Sequence, residues 1–323
     1  MVLSLKRTAA PLSEEDSLAA HAAWLHYSGG FTQSEVAKRL GITQPKAHRL
    51  ISRAFKQGLI TVLVDPSIQC CIDLEDSLTA NYGLEFCQVV PDLNEDGLPL
   101  RALGLAGAGF LRRIIESEQY KTIGIGHGRT LASMVHHLPA IHQTHTRFVS
   151  LLGGLTRKFA ANPLDVIHRL AEKTDAEAYM LPVSIFANSA QDKETLMRQP
   201  GIADVFDMGR EADLLIISIG EANWHSHLSE VNLVTKEEMH EIQALNAQGE
   251  LLGHYFDAEG EPVKTSLNER AMSLSVDELR GKPLVALAGG VSKVPALKAV
   301  LKSGLMKGLI TDDVTAKQLL SDQ

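Results

Sequence analysis

Basic and amide side chains recur along residues 43–53 at a spacing that suits contact with nucleic acid. The segment reads TQPKAHRLISR, and on a helix its polar residues lie opposite its apolar ones. Such side chains donate hydrogen bonds to base edges in the major groove and to phosphate oxygens. The predicted DNA contacts are Thr43, Gln44, Pro45, Lys46, His48, Arg49 and Arg53. Of these, Arg53 is expected nearer a phosphate.

Two short helices and a turn position this face. Thr32 and Glu35 predict a capping box at the start of the first helix. Gly41 suits the left-handed residue that ends this helix, and the second helix tolerates Pro45 in its first turn. A preceding helix over 17–28 completes a three-helix head. The pattern is typical of a helix-turn-helix, whose second helix enters the major groove. An ordinary helical hairpin with a solvated basic face is the alternative.

Glycine clusters follow three predicted strands. The first reads GIGHGRT over 124–130, and pairs of glycines follow at 153–154 and 289–290, the last with Lys293 close behind. Glycines there let backbone amides approach an anion or a hydroxyl, and a following helix N-terminus favours negative charge. Arg129 stands where a dinucleotide fingerprint needs glycine, which argues against a Rossmann cofactor site. Three clusters in one sheet predict a cleft for a small ligand.

From residue 83 onward, apolar strands alternate with helices, which predicts an α/β fold with a doubly wound parallel sheet. The carboxyl ends of the strands in such a sheet form its ligand-binding edge. The predicted strands are 86–90, 122–125, 148–152, 178–181, 214–219, 284–288 and 309–311. The predicted helices are 68–82, 98–118, 129–137, 162–173, 195–199, 236–245 and 295–303. We expect a helix-turn-helix domain over 1–65, a linker helix over 66–83 and an effector domain over 84–323.

Composition and charge fit this division. The 323 residues are 45% hydrophobic and 22% charged, which is typical of a globular protein. The net charge is −8, yet residues 31–60 carry six basic residues and one acid. This distribution is expected of a small basic DNA-binding head joined to a larger acidic domain, here called the body. No apolar run is long enough for a bilayer and no secretion signal opens the sequence, so we expect a cytoplasmic protein without a membrane partner. The three cysteines and the histidines of 136–145 lack the spacing of metal ligands, so neither metal nor cofactor is expected.

A specific resemblance joins these segments. The helix-turn-helix head is followed, in order, by GIGHGRTL, LLGGL, READLLIISIG, GHYFDAEGEPV and LVALAGGVSKVPALKAVLKSG. This series resembles the SorC family of sugar-binding transcriptional regulators, which is related to the DeoR regulators, and the resemblance covers almost the whole chain. It implies an effector domain of the glucosamine-phosphate deaminase and ribose-phosphate isomerase type. It also implies a homodimer or homotetramer that binds double-stranded operator DNA and a sugar, polyol or sugar phosphate effector.

The resemblance further implies which residues line the effector cleft. They are Gly126, His127, Gly128, Arg129, Thr130, Gly153, Gly154, Leu155, Gly220, Asp257, Asn268, Gly290 and Lys293. His127 stands where the family often has tryptophan, and Leu155 stands where a hydroxyl residue could hold a phosphate. Both departures favour an uncharged polyol or a small sugar. Within the family, the segments HAAWLHYSGG and LLGGLTRKFAANP look most like regulators of erythritol catabolism, so the expected function is a repressor of such an operon.

Two other classes of function stay open at this point. A sugar-phosphate isomerase or deaminase would share the domain type and would need an acid or base carboxylate over the sugar. Asp257 is the candidate, although a turn-forming aspartate in HYFDAEG is the simpler explanation. A DNA-binding architectural protein without a ligand would leave the three glycine clusters without a purpose.

Overall fold

The computed structural model describes residues 13–56, 59, 66–143, 145–155 and 166–321. Its contacts divide the chain into two compact units, with the boundary between Asp65 and Pro66. The first four residues of the helix predicted over 162–173 lie outside the described ranges. No helix within those ranges is long and apolar enough to cross a membrane.

The first unit packs three helices around a small apolar core. They are α1 (Glu14–Tyr27), α2 (Gln33–Leu40) and α3 (Gln44–Lys56). Seven of the ten buried core residues are alanine or valine, which lets the helices approach closely. The core consists of Ala19, Ala22, Ala23, Leu25, Val36, Ala37, Ala47, Leu50, Ile51 and Ala54.

The turn between α2 and α3 has the geometry that the sequence predicts. The Thr32 hydroxyl accepts a hydrogen bond from the Glu35 amide at 3.3 Å, and the Glu35 carboxylate accepts one from the Thr32 amide at 2.8 Å. Gly41 adopts a left-handed φ of 65° and ends α2. The Ile42 amide then donates to the Ala37 carbonyl at 3.0 Å, and its side chain packs on the head core. The predicted capping box and left-handed helix end are confirmed.

A parallel sheet organises the second unit. Its strands, together with those of a smaller sheet, are β1 (Phe86–Val90), β2 (Thr122–Ile125), β3 (Arg147–Ser150), β4 (Ala178–Tyr179), β5 (Leu214–Ile217), β6 (Gly220–Glu221), β7 (Gly249–Leu251), β8 (His254–Phe256), β9 (Leu284–Leu287) and β10 (Met306–Asp312). In the described part of this unit, seven strands run parallel in the order β1-β10-β9-β5-β2-β3-β4. The order reverses between β2 and β5, because the chain continues to β3 on one side and to β9 on the other. This is a topological switch point, where open α/β sheets bind ligands.

Helices cover both faces of this sheet, as a doubly wound fold requires. They are α4 (Pro66–Tyr82), α5 (Leu100–Glu116), α6 (Arg129–His137), α7 (Val166–Thr174), α8 (Ala190–Met197), α9 (Ile202–Glu211), α10 (His227–Glu230), α11 (Lys236–Ala244), α12 (Ser266–Arg270), α13 (Val276–Leu279), α14 (Val294–Lys302) and α15 (Asp313–Leu320). Helices α5, α6 and α7 share one core cluster with alternate strand residues such as Ile123 and Ile216. Helices α4, α9, α14 and α15 share the other, with Leu215 and Leu309.

Helix α4, expected as a linker, lies within the second unit. It packs against β1 and α15, and its Leu78 is completely buried while Cys71 is 5% exposed. The Glu75 carboxylate also accepts a hydrogen bond from the Val89 amide at 2.8 Å. Removal of α4 would therefore expose one edge of the body core.

Several elements depart from the sequence prediction. Strands β6, β7 and β8 form a small antiparallel sheet that the sequence does not predict, because two or three residues carry no detectable alternation. The single helix predicted over 195–199 is wrong, since α8 and α9 occupy this region. Ser189 caps α8, and Gly209 lies inside α9 with Leu151 3.7 Å from the position of a Cβ. A Cβ at Gly209 would make only an ordinary contact with Leu151, and the helix continues through this glycine. Helix α15 after β10 is also absent from the prediction.

Candidate functional sites

The outer face of α3 forms a contiguous polar and basic surface on the first unit. The predicted contacts from Thr43 to Arg49 are exposed, while Ala47 and Leu50 face the core. A shallow groove of about 460 Å³ runs along this face and is lined by His48, Arg49, Ser52, Arg53 and Lys56. The arrangement gives hydrogen-bond donors along one side of the helix, as contact with a DNA groove requires.

Residues of α2 make two contacts near this surface. Neither contact could be predicted from the sequence. His48 Nδ1 lies 3.2 Å from Gln33 Oε1, so the first residue of α2 touches the outer face of α3. The Arg39 guanidinium lies over the Phe31 ring, with its carbon 3.8 Å from the ring centroid. This cation–π contact holds Arg39 beside the head core.

Arg53 is not directed as expected. Its Nη1 lies 2.8 Å from Glu15 Oε2, and its Nη2 lies 2.9 Å from Asp16 Oδ1. Its Nε also donates to Asp16 at 3.0 Å. The guanidinium therefore faces the first turn of α1, whereas the sequence led us to expect a contact with phosphate.

On the second unit, a crevice of about 860 Å³ opens beyond the carboxyl ends of the parallel strands. It is lined by Asp96, Gly97, Leu98, Leu100, Arg129, Glu221, Asn223, His225, Val291 and Ser292. These residues follow β1, β2, β5 and β9, so the crevice includes the switch point between β2 and β5. Of the predicted effector residues, Arg129 forms one wall, and the Val291–Lys293 turn that follows Gly290 forms another.

The amides of the first and third glycine clusters are used by the fold. The Gly126 amide donates to the Ile216 carbonyl at 2.9 Å, and the Gly290 amide donates to the Thr315 hydroxyl at 2.7 Å. The Gly126 amide, which was expected to be free for a ligand, is therefore occupied, and so is the Gly290 amide. Gly290 is required for its φ of 107°, and a Cβ there would lie 2.6 Å from Leu98.

The second cluster does not line this crevice. The Gly153 amide donates to the Met272 carbonyl at 3.0 Å, and the Gly154 amide donates to the Val183 carbonyl at 2.7 Å. Leu155 is buried, and Gly154 lines another cavity of about 820 Å³ next to the residues that follow β4. The three residues predicted there are not among those that line this crevice. Close packing explains Gly153, since a Cβ there would lie 2.5 Å from the Ser184 carbonyl.

The start of α6 presents donors at the switch point. The helix begins at Arg129 without a side-chain cap, so its first amides have no intrahelical partner. Gly128 has a φ of 138°, and a Cβ there would lie 2.5 Å from the Ser218 hydroxyl. That hydroxyl donates to the His127 carbonyl at 2.8 Å and ties the β2 loop to β5. Arg129 is half-buried in the crevice, whereas Thr130 is buried beneath it.

Lys293 is a buried cation at the floor of this region. Lys293 is only 8% exposed, and its Nζ donates a hydrogen bond to the Ile219 carbonyl at 2.8 Å. Burial lowers the pKa of Lys293, while Glu221 opposes that shift, Arg129 adds to it and Glu250 opposes it. His227 belongs to the same group of charges, because burial and then Arg129 and Lys293 lower its pKa.

Glu250 is a candidate that the sequence reasoning missed. It lies on β7, directly opposite Gly220, and a Cβ at Gly220 would lie 2.1 Å from its carboxylate. Burial raises the pKa of Glu250 to about 7, while the Gly253 amide, 2.5 Å away, and the nearby Lys293 act against this shift. Gly220 is therefore needed so that the carboxylate can pass over the strand end. No sequence signal marks Glu250, because only the pairing of β7 with β6 brings it over Gly220.

Asp257 and Asn268 are not brought to the crevice. Asp257 accepts hydrogen bonds from the amides of Glu259 and Glu261, both at 2.9 Å, and so closes a turn. Lys302 holds this turn through the Ala258 carbonyl, at the opposite end of α14 from the Lys293 turn.

Asn268 is engaged locally. Its amide nitrogen donates to the Val263 carbonyl at 2.9 Å, and its amide oxygen accepts from the Thr265 hydroxyl at 2.6 Å. These bonds secure the start of α12. Both effector assignments, at 257 and at 268, are therefore corrected to turn and capping roles.

Two histidines of the histidine-rich region contact carboxylates. His142 Nδ1 contacts the Asp175 carboxylate, and His145 Nε2 lies 3.6 Å from the Glu118 carboxylate. Over the described ranges, no three histidine, cysteine or carboxylate side chains are arranged to hold a metal ion.

Comparisons with known proteins agree with this architecture. The Sugar-bind family model, which describes a sugar-binding domain, matches residues 67–321. The chain is 52% identical over 306 residues to the erythritol catabolism regulatory protein EryD of Brucella abortus (strain 2308), covering 95% of this chain and 97% of that protein. A DeoR family transcriptional regulator from Listeria monocytogenes superposes with a TM-score of 0.71 at 26% identity, covering 77% of this chain and 99% of that one. The full-length sorbitol operon regulator SorC from Klebsiella pneumoniae superposes with a TM-score of 0.69 at 24% identity, covering 95% and 100%.

These relatives decide between the classes of function. They are transcriptional regulators, and the match to EryD extends over nearly the whole of both chains. The alternative of a sugar-phosphate isomerase or deaminase is therefore wrong, and the corrected turn role of Asp257 removes the residue on which it rested.

Proposed function

Because the chain belongs to the SorC family of sugar-binding transcriptional regulators, we propose that α3 binds an operator and that the crevice binds the controlling effector. The operator contacts are the exposed residues from Thr43 to Arg49. The protein acts in the cytoplasm as a homodimer or homotetramer, because a two-fold operator needs two heads. The effector releases it from DNA, so the protein is a repressor.

The similarity to EryD supports erythritol, or a closely related small polyol, as the effector. A polyol offers several hydroxyl groups, each of which donates one hydrogen bond and accepts others. The proposed site supplies both partners: Arg129, Lys293 and the first amides of α6 donate, while Glu221 and Glu250 accept.

The observation that carries this proposal is the mixture of charges at the switch point. Burial and then Arg129 lower the pKa of His227, and burial lowers the pKa of Lys293 while Glu221 and Glu250 act against that shift. A site for a highly charged anion would lack the acidic partners, since carboxylates repel phosphate. The balanced set supports an uncharged polyhydroxy ligand.

A thermal-shift measurement with the full-length protein tests the effector assignment. We expect erythritol to raise the melting temperature of the wild type in a concentration-dependent manner, because a ligand that binds only the folded state stabilises it. Lys293→Gln should lose this shift, because the buried donor is removed from the floor of the site. Lys121→Gln serves as the matched control, since Lys121 is exposed and precedes β2 at the opposite edge of the sheet.

The same titrations with erythritol phosphate and with longer polyols set the ligand class. A larger shift with the phosphate ester than with erythritol would contradict the assignment of an uncharged ligand. An equal shift in Lys293→Gln and in the wild type would place the effector elsewhere.

A further inference from the structure

Arg53 and two acids of α1 form a compact network between the first and third helices. The guanidinium uses Nε and Nη2 on Asp16, at 3.0 and 2.9 Å, and Nη1 on Glu15, at 2.8 Å. The Arg53 side chain is 35% exposed and that of Asp16 is 22% exposed, so the contact with Asp16 is half-shielded from water. Paired bonds of this kind fix direction as well as distance.

Asp16 is itself held in place. The Ser13 hydroxyl donates to Asp16 Oδ2 at 2.7 Å, and the Asp16 amide donates back to the same hydroxyl at 3.1 Å. The Ser13 hydrogen bond and then Arg53 lower the pKa of Asp16, so the carboxylate is charged when the head meets DNA. The cap of α1 and the ion pair with α3 are therefore one connected unit.

We propose that Arg53 is a positioning residue, which clamps the recognition helix to α1 through Asp16 and Glu15 and does not contact phosphate. The clamp lies one helical turn beyond Arg49, on the helix that carries the proposed base contacts. It fixes the rotation and depth of α3 relative to the rest of the head. A phosphate contact would require Arg53 to leave both carboxylates unpaired beside the polyanionic DNA, which like-charge repulsion disfavours. This inference rests on the proposed binding of DNA by α3.

A clamp and a phosphate contact are the two possible roles of Arg53. They predict opposite changes in DNA affinity when Glu15 and Asp16 are neutralised. The probe is a DNA duplex selected from a random pool by the wild-type protein, with affinity measured by fluorescence anisotropy at several salt concentrations. For a clamp, the double variant Glu15→Gln/Asp16→Asn binds about fivefold more weakly, although it has lost two negative charges. The slope of log affinity against log salt stays unchanged, because no phosphate contact is lost. For a phosphate contact, the same variant binds more tightly, with a slope steeper by up to about 0.9.

Glu14→Gln is the matched control for long-range charge. Glu14 is exposed in the same first turn, so its neutralisation measures the general effect of removing an acid from α1. Arg53→Lys gives a second measurement, since lysine keeps the charge but cannot make the paired bonds. A clamp predicts that Arg53→Lys weakens binding about as much as the double variant, whereas near wild-type affinity would overturn it. Tighter or unchanged binding by the double variant, relative to Glu14→Gln, would also overturn the clamp. Failure of the wild type to select any duplex would instead overturn the proposed function.

Discussion

At the scale of single residues, the burial of both Lys293 and Glu250 departs most from ordinary surface chemistry. Both groups lie at the floor of the proposed effector site, and both have pKa values shifted toward the neutral form by burial. Strongly shifted pKa values are common at functional sites, where burial and neighbouring charges tune the groups that act there. Glu250 is the more informative member, since its pKa of about 7 lies within the physiological range.

Glu250 should make folding stability depend on pH. Its folded-state pKa of about 7 lies above the ordinary value of 4.5, so the folded protein holds this proton more tightly than the unfolded chain does. The contribution of Glu250 to stability is therefore greatest below about pH 4.5, falls as pH rises through the window to about 7, and is level above it. The full difference is about 3 kcal/mol. Glu250→Gln removes the titrating group, so its free energy of unfolding relative to the wild type should improve between about pH 5 and pH 8.

Urea unfolding at several pH values checks this expectation. Glu259→Gln is the control, because Glu259 is an exposed carboxylate on the turn after β8. The control should follow the wild-type curve throughout. If the Glu250→Gln and wild-type curves ran parallel across the window, the carboxylate would be charged in the folded protein at all these pH values.

At the scale of elements, the recognition helix makes the sharpest prediction. Arg49→Ala should weaken operator binding by about 1–3 kcal/mol and relax preference at one base pair, because a bidentate contact to a base edge is lost. Competition with duplexes substituted at each position of the selected site measures both effects. Arg112→Ala is the control, since Arg112 pairs with Glu116 on α5 in the second unit. Uniform weakening across all substituted duplexes would make Arg49 a phosphate contact.

Elements with strong local signals could be predicted from the sequence. The capping box at Thr32, the left-handed Gly41 and the inner stripe of α3 each depend on neighbouring residues alone, and all agree with the structure. Helix α6 matches its predicted bounds, and β1 and β2 match theirs. The antiparallel sheet could not be predicted, since β6 and β7 lie far apart in sequence and are too short to show a period.

The residues of the candidate site divide in the same way, into those with a local signal in the sequence and those placed by contacts between distant elements. Arg129 and Lys293 could be found because each follows a glycine at a strand end. Glu250 could not, because only the pairing of β7 with β6 brings it over Gly220. The glycine amides were misjudged for a related reason: their partners, such as Thr315, come from distant elements. Asp257 and Asn268 were misplaced because a resemblance transfers positions but not the local hydrogen bonds that occupy them.

At the scale of the whole molecule, assembly should reside in the second unit. We predict that a truncated protein beginning at Pro66 keeps the oligomeric state and the erythritol response of the full chain but loses operator binding. The truncation retains α4, whose buried Leu78 contributes to the body core, whereas a start at Gly83 would expose that core. Multi-angle light scattering at micromolar concentration measures the oligomeric state.

The matched comparison is the full-length protein at the same concentration. A monomeric truncated protein beside an oligomeric full-length one would place the assembly contacts in residues 1–65. Loss of the erythritol response without loss of the oligomer would show instead that the effector site needs the head.

The fold uses the glycine amides at the strand ends for its own hydrogen bonds. This affects which residues can change when the protein's preference for an effector changes. Gly126 and Gly290 give their amides to the fold, so recognition in the crevice falls to the first amides of α6 and to the side chains that line the crevice. The lining side chains on loops can each accept a substitution without disturbing the strand pairing beneath them. A biosensor for a new polyol could therefore be selected by randomising crevice-lining positions such as 223, 225 and 292 while the scaffold stays fixed.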